Sequence, residues 1–89
     1  PVAAQRVYDA AISAWPDLAL AYAGRGTARY RSGHLHEAAT DYRRALNIDP
    51  ALAGARNNLA MTLLELGCPQ SARRELQAPR HWFLHGFFA

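Results

Sequence analysis

The 89 residues contain no lysine and one cysteine, and each shortage closes off a reading. Cys68 has no second thiol to meet, so no internal disulfide can form and the side chain reads as a small semi-buried filler. All ten basic residues are arginine, set against seven acids for a formal charge of +3. They are spread along the chain instead of forming one block, which argues against a nucleic-acid surface. No apolar run approaches the roughly 20 residues that a membrane span needs. The opening PVAAQRVYDA lacks the charged start and apolar core of a secretory signal. These absences leave the compartment unknown, with the cytoplasm favoured.

Chemistry is equally short of partners. Ser13, Ser32 and Ser71 fall at helix starts, ends or exposed slots, where local capping explains them and no base stands by to activate them. His34 and His36 share a turn, and His81 and His85 are four apart, a spacing that suits one helix face. No cysteine or acidic residue accompanies either pair at ligand spacing. The expectation is therefore no enzyme, no metal and no cofactor.

What the sequence does have is a period. Pro16 and Pro50 stand 34 residues apart, and shifting the sequence by that interval also superimposes Ala4, Ala38 and Ala72. Tyr8, Tyr42 and Leu76 coincide, as do Ala11 with Ala45, Pro1 with Pro69, and Gly33 with Gly67. Ala38, Tyr42, Ala45 and Leu46 recur at helical spacing, giving a face where small residues admit a neighbouring helix and the aromatic fills the remaining gap. A second helical pattern precedes it, over 18–32 and again over 51–66. Each ends at a glycine suited to a left-handed cap. Proline then stops the second helix of each pair.

This unit of helix, glycine turn, helix and proline stop resembles the tetratricopeptide repeat family. The run AYAGRGTARYRSGHLHEAATDYRRALNIDP carries the family's Gly26, Gly33, Ala38, Tyr42, Ala45 and Pro50; the following copy supplies Leu59, Ala60, Leu63, Gly67, Ala72 and Leu76. The resemblance implies an all-α, right-handed solenoid of antiparallel helix hairpins, about two and a half repeats long. Residues 1–16 would be the second helix of a partial repeat, 17–50 a complete one and 51–78 a third, cut short at Pro79. Its packing residues would be Gly26, Ala38, Tyr42, Ala45 and Pro50, followed by Leu59, Ala60, Leu63, Ala72 and Leu76. There are departures. Tyr22 and Arg56 stand where the family usually has a large residue such as Trp, and Arg29 stands in a slot that is often aromatic. Arg25 is expected to pair with Asp41 across the hairpin, because a buried guanidinium is costly unless matched.

In the family the first helix of each pair lines a concave face that holds peptide segments of partner proteins. Carried over by alignment, the groove residues would be Leu20, Ala23, Thr27, Tyr30 and Arg31 from one copy. The next would add Asn57, Asn58, Met61 and Leu64. Ala23 and Gly24 would leave room for a ligand backbone, and Asn57 and Asn58 can hydrogen-bond its N–H and C=O groups. The alternative for both asparagines is a solvated helix position. A family subclass grips a C-terminal carboxylate, but here only Asn58 matches that set, with Ala23 and Thr27 where Lys and Asn would be needed.

Two features point to a rival, structural role. The first helix would lack the partner that normally covers it, exposing Val7, so that either the sequence is a piece of a longer array or that face meets another chain; the tail HWFLHGFFA gathers Trp82, Phe83, Phe87 and Phe88. These aromatics could cap the last hairpin, join a second copy as a homo-oligomer, or, least favoured, meet a membrane surface. Arg43-Arg44 and Arg73-Arg74 read as a solvated outer face paired with acids such as Asp41 and Glu75.

Overall fold

The computed structural model describes residues 2–77, which are built from helices alone. The order is α1 (Val2–Ala14), α2 (Ala19–Arg31), α3 (Leu35–Ile48) and α4 (Ala53–Glu65). A further helix, α5, covers 69–77. The expected breaks are present, with α2 and α4 one or two residues shorter at each end than the patterns 18–32 and 51–66. The tail aromatics Trp82, Phe83, Phe87 and Phe88, the break at Pro79, and His81 and His85 lie outside the described residues.

The two glycine turns are built alike. Gly33 has φ +84° and Gly67 φ +81°, the left-handed region that a Cβ disfavours. The Gly33 N–H donates to the Tyr30 carbonyl at 3.0 Å and the His34 N–H to the Arg29 carbonyl at 2.8 Å. Gly67 and Cys68 repeat the pair onto Leu64 and Leu63 at 3.0 and 2.8 Å, so both helices end in the same two-bond cap. The proline stops also match: α1 ends at Ala14 before Pro16, and α3 at Ile48 before Pro50.

α2 and α3 form an antiparallel hairpin, since Tyr22 meets Arg44 near one end while Arg29 meets Asp41 near the other. Its seam is small against large. The Tyr42 ring lies where a Cβ on Gly26 would approach to 3.0 Å, and Ala38 and Ala45 are fully buried beside it. Leu59, Ala60, Leu63 and Ala72 continue the core through α4 and α5. Two of the residues expected to pack do not. Pro50 is exposed in the turn it enforces, and Leu76 is 51% exposed, because among the described residues no helix stacks on that side of α5.

Charge crosses the hairpin as well. The Arg25 Nε and Nη2 donate to the two carboxylate oxygens of Asp41 at 2.9 and 2.8 Å, the pairing expected from the sequence. Two more links were not expected. Arg29 Nη1 donates to Asp41 at 3.0 Å, and Arg25 Nη1 reaches Asp9 on α1 at 2.8 Å, tying three helices through one guanidinium. The bonds to Asp41, then to Asp9, hold the Arg25 guanidinium well above its ordinary range. Asp41 is therefore not a partner for Arg43-Arg44, a correction to the surface reading: Arg44 stacks over Tyr22 at 5.6 Å. Glu75 likewise faces Arg56, at 3.6 Å.

Candidate functional site

The first helices of consecutive pairs, α2 and α4, lie side by side in the same direction. Leu20 shares a depression with Gly54 at one end, and at the other the Tyr30 hydroxyl donates to Glu65 Oε1 at 2.7 Å. That contact with the carboxylate raises the Tyr30 phenol above its usual value. Two connected depressions occupy the face between the helices.

The first has a volume of about 380 Å³, with Leu20 and Ala23 on one wall, Leu52 and Gly54 on the other, and Thr27 and Asn58 at its inner edge. It is an apolar trough, and Leu20 stands 66% exposed at its lip. Gly24, expected to leave space for a ligand, does line the trough, yet its lack of a side chain serves another contact. The ring of Tyr8 fills the place of its missing side chain, so a methyl there would overlap the phenol carbons. Gly54 is the open glycine, since nothing stands within 4 Å of where its Cβ would be.

The second depression, about 220 Å³, shares Thr27 and Asn58 with the first and continues to Tyr30, Arg31 and Met61. Its floor is Tyr42. The Thr27 hydroxyl lies 3.2 Å from the Ala23 carbonyl and 2.9 Å from the Tyr42 hydroxyl, and in the latter contact either oxygen can donate. Burial pushes the Tyr42 phenol up, while the Thr27 bond and the nearby charge of Arg31 act the other way. The arginine's field is thus felt at the floor of the depression. Among the described residues Arg31 makes no hydrogen bond or ion pair, although it carries a full charge.

Seven of the nine groove residues read from the sequence line these depressions: Leu20, Ala23, Thr27, Tyr30, Arg31, Asn58 and Met61. Asn57 and Leu64 line neither. They occupy on α4 the slots that Ala23 and Tyr30 occupy on α2, facing the next first helix along, and no such helix is among the described residues. Tyr42, Gly54 and Glu65 belong to the face but were not assigned to it. Tyr42 carried a packing signal and also reaches through to the groove. Glu65 had a signal: it stands in the register of Arg31 with the opposite charge.

No group of three metal-ligating side chains occurs among the described residues, and no helix there is long and apolar enough to cross a membrane. The sequence profile of the TPR repeat matches residues 26–67, from the first-helix glycine of one pair to the capping glycine of the next. Residues 26–67 belong to the tetratricopeptide repeat family. The chain is also similar to a TPR repeat-containing thioredoxin of Arabidopsis thaliana, 39% identical over 70 residues, or 79% of this chain. It spans only 10% of that protein's length. Tetratricopeptide repeats generally mediate contacts between proteins and typically act as non-enzymatic scaffolds.

Proposed function

We propose that this tetratricopeptide repeat chain is a protein interaction module that holds an extended segment of a partner between α2 and α4. The observation that carries the reading is the joining of two depressions of unlike chemistry at Thr27 and Asn58. An extended chain presents side chains at intervals and backbone N–H and C=O groups between them. Asn58 has both a donor and an acceptor to offer that backbone, and Gly54 admits its close approach. Leu20 and Met61, both more than half exposed, supply apolar area that a ligand would cover.

The test is a displayed-peptide selection on the 89-residue chain beside an Asn58→Ala, Tyr30→Ala double variant. Peptides sharing a motif and enriching only on the unmodified chain are the expected result. Equal enrichment on both chains, or none on either, overturns the reading.

A second reading, assembly with another copy, is favoured by the bare outer side of α1. Val2 and Val7 are each about two-thirds exposed on α1, and no residue of α1 is fully buried. Light scattering across a concentration series separates the two: a mass that rises with concentration and falls after Val7→Glu supports assembly, and a constant monomer mass removes it.

A further inference from the structure

The face between α2 and α4 says more about its occupant than that it is a peptide. Resting on the groove reading above, we propose that the bound segment carries an apolar side chain and an acidic one two residues apart, the first in the Leu20 trough and the second beside Arg31.

The spacing comes from the helices. On α2 the trough is lined from Leu20 to Thr27 and the second depression from Thr27 to Arg31; on α4 the corresponding stretches are 54–58 and 58–61. At 1.5 Å per residue the centres lie roughly 5–8 Å apart along the helices. An extended chain advances about 3.3 Å per residue and turns alternate side chains to the same side, so positions i and i+2, about 6.6 Å apart, fit both depressions at once.

The chemistry follows from the linings. Leu20, Ala23, Leu52 and Ala55 surround the trough with carbon, and no charged residue lines it. The second depression has one charged lining residue, Arg31, and beside it the Asn58 amide as a further donor. No carboxylate lines either depression. Glu65, in the register of Arg31 on α4, accepts from the Tyr30 hydroxyl, which occupies one of its oxygens, and among the described residues no ion pair joins it to Arg31. A volume of about 220 Å³ admits an aspartate or glutamate side chain, whose two oxygens match the fork of a guanidinium. The chain's excess of arginine over acids adds a long-range attraction of the same sign.

The test uses fluorescence anisotropy on the full chain with synthetic peptides holding Leu-x-Glu in a neutral background. The reversed Glu-x-Leu is included because the groove has no assigned polarity. One of the two orders is expected to bind. In that order, Glu→Gln is expected to weaken binding about tenfold or more, and Glu→Lys to abolish it. Arg31→Glu should reverse the preference toward the lysine peptide, and Arg31→Gln should level it; the exposed position of Arg31 lets both variants keep the wild-type melting temperature. Glu65→Gln should tighten the glutamate peptide.

Binding that is lost in the Asn58→Ala, Tyr30→Ala variant yet indifferent to Glu, Gln and Lys overturns the acidic motif and leaves the groove reading standing. Selected groove ligands that lack the apolar and acidic pair overturn it as well. A chain on which no peptide of any sequence binds overturns both.

Discussion

Replacing Asp41 by Asn should cost more stability than any other single polar change among the described residues. Its carboxylate is 3% exposed and accepts three bonds at 2.8 to 3.0 Å, two from Arg25 and one from Arg29. Those guanidiniums are themselves only 18% and 22% exposed, so water cannot replace the lost charge. Asparagine keeps the shape but turns an N–H₂ toward one of the donors. Breaking a buried ion pair by removing one partner costs about 3–5 kcal/mol. Against about 0.05–0.15 kcal/mol of stability per residue, this is a large share of the total for a chain of this size. With about 4–8 °C of melting temperature per kcal/mol in a small domain, Asp41→Asn should melt at least about 12 °C lower. Two controls locate the effect. Asp9 is 56% exposed, so Asp9→Asn should lose under about 1 kcal/mol. Arg25→Leu should fall between, because Arg29 still matches the Asp41 charge, and the adjoining copy already carries Leu59 in that register. Circular dichroism melts of the three variants suffice. An Asp41→Asn melting point within two or three degrees of wild type, which is about the shift expected of an exposed pair, would refute the claim that this cluster ties the hairpin.

Other consequences are simpler. The Tyr42 and Tyr30 phenols both titrate above the ordinary 10.0 in the folded chain, so the unfolded chain loses those protons first. Their contribution is complete below about pH 10 and is lost as pH rises through the folded values. Alkaline unfolding monitored by tyrosinate absorbance should show this decline, and Tyr42→Phe should flatten it while costing about 1 kcal/mol at neutral pH for the Thr27 bond. Gly24→Ala collides with the Tyr8 ring and should cost about 1–3 kcal/mol in a urea titration. Gly54→Ala meets nothing and should raise stability by up to about 1 kcal/mol, even as it narrows the trough.

The punctuation of the fold was legible because it is local chemistry. Pro16, Pro50, Gly33 and Gly67 act on their own backbone, so their positions in the sequence are enough to place the helix ends. The alanine and tyrosine recurrence was legible for a related reason: a repeated seam writes the same residues at the same interval. What departs from the repeat was harder to read. Gly24 is a glycine because Tyr8 lies on it, and nothing in either stretch alone links them. Arg25 was matched to Asp41 by the need to neutralise a buried charge, but the third partner Asp9 depends on how α1 lies against α2. Arg56 replaces the large residue expected near the start of α4. Its guanidinium donates to the Pro50 carbonyl at 2.7 Å, and burial lowers its pKa. At the candidate face, the alignment named the α2 wall but not Leu52 and Gly54 opposite it, nor the floor, because Tyr42 belongs to a second helix and reaches the groove from behind.

The central claim is that the surface between α2 and α4 is where a partner's segment lies. Backbone amide shifts of the isotope-labelled chain, followed by NMR during titration with a selected peptide, test it most directly. The expected shifts concentrate on Leu20, Ala23, Thr27, Arg31, Asn58 and Met61 and move together with one affinity. Shifts confined to the outer side of α1 or to α5, with those six residues still, would contradict it.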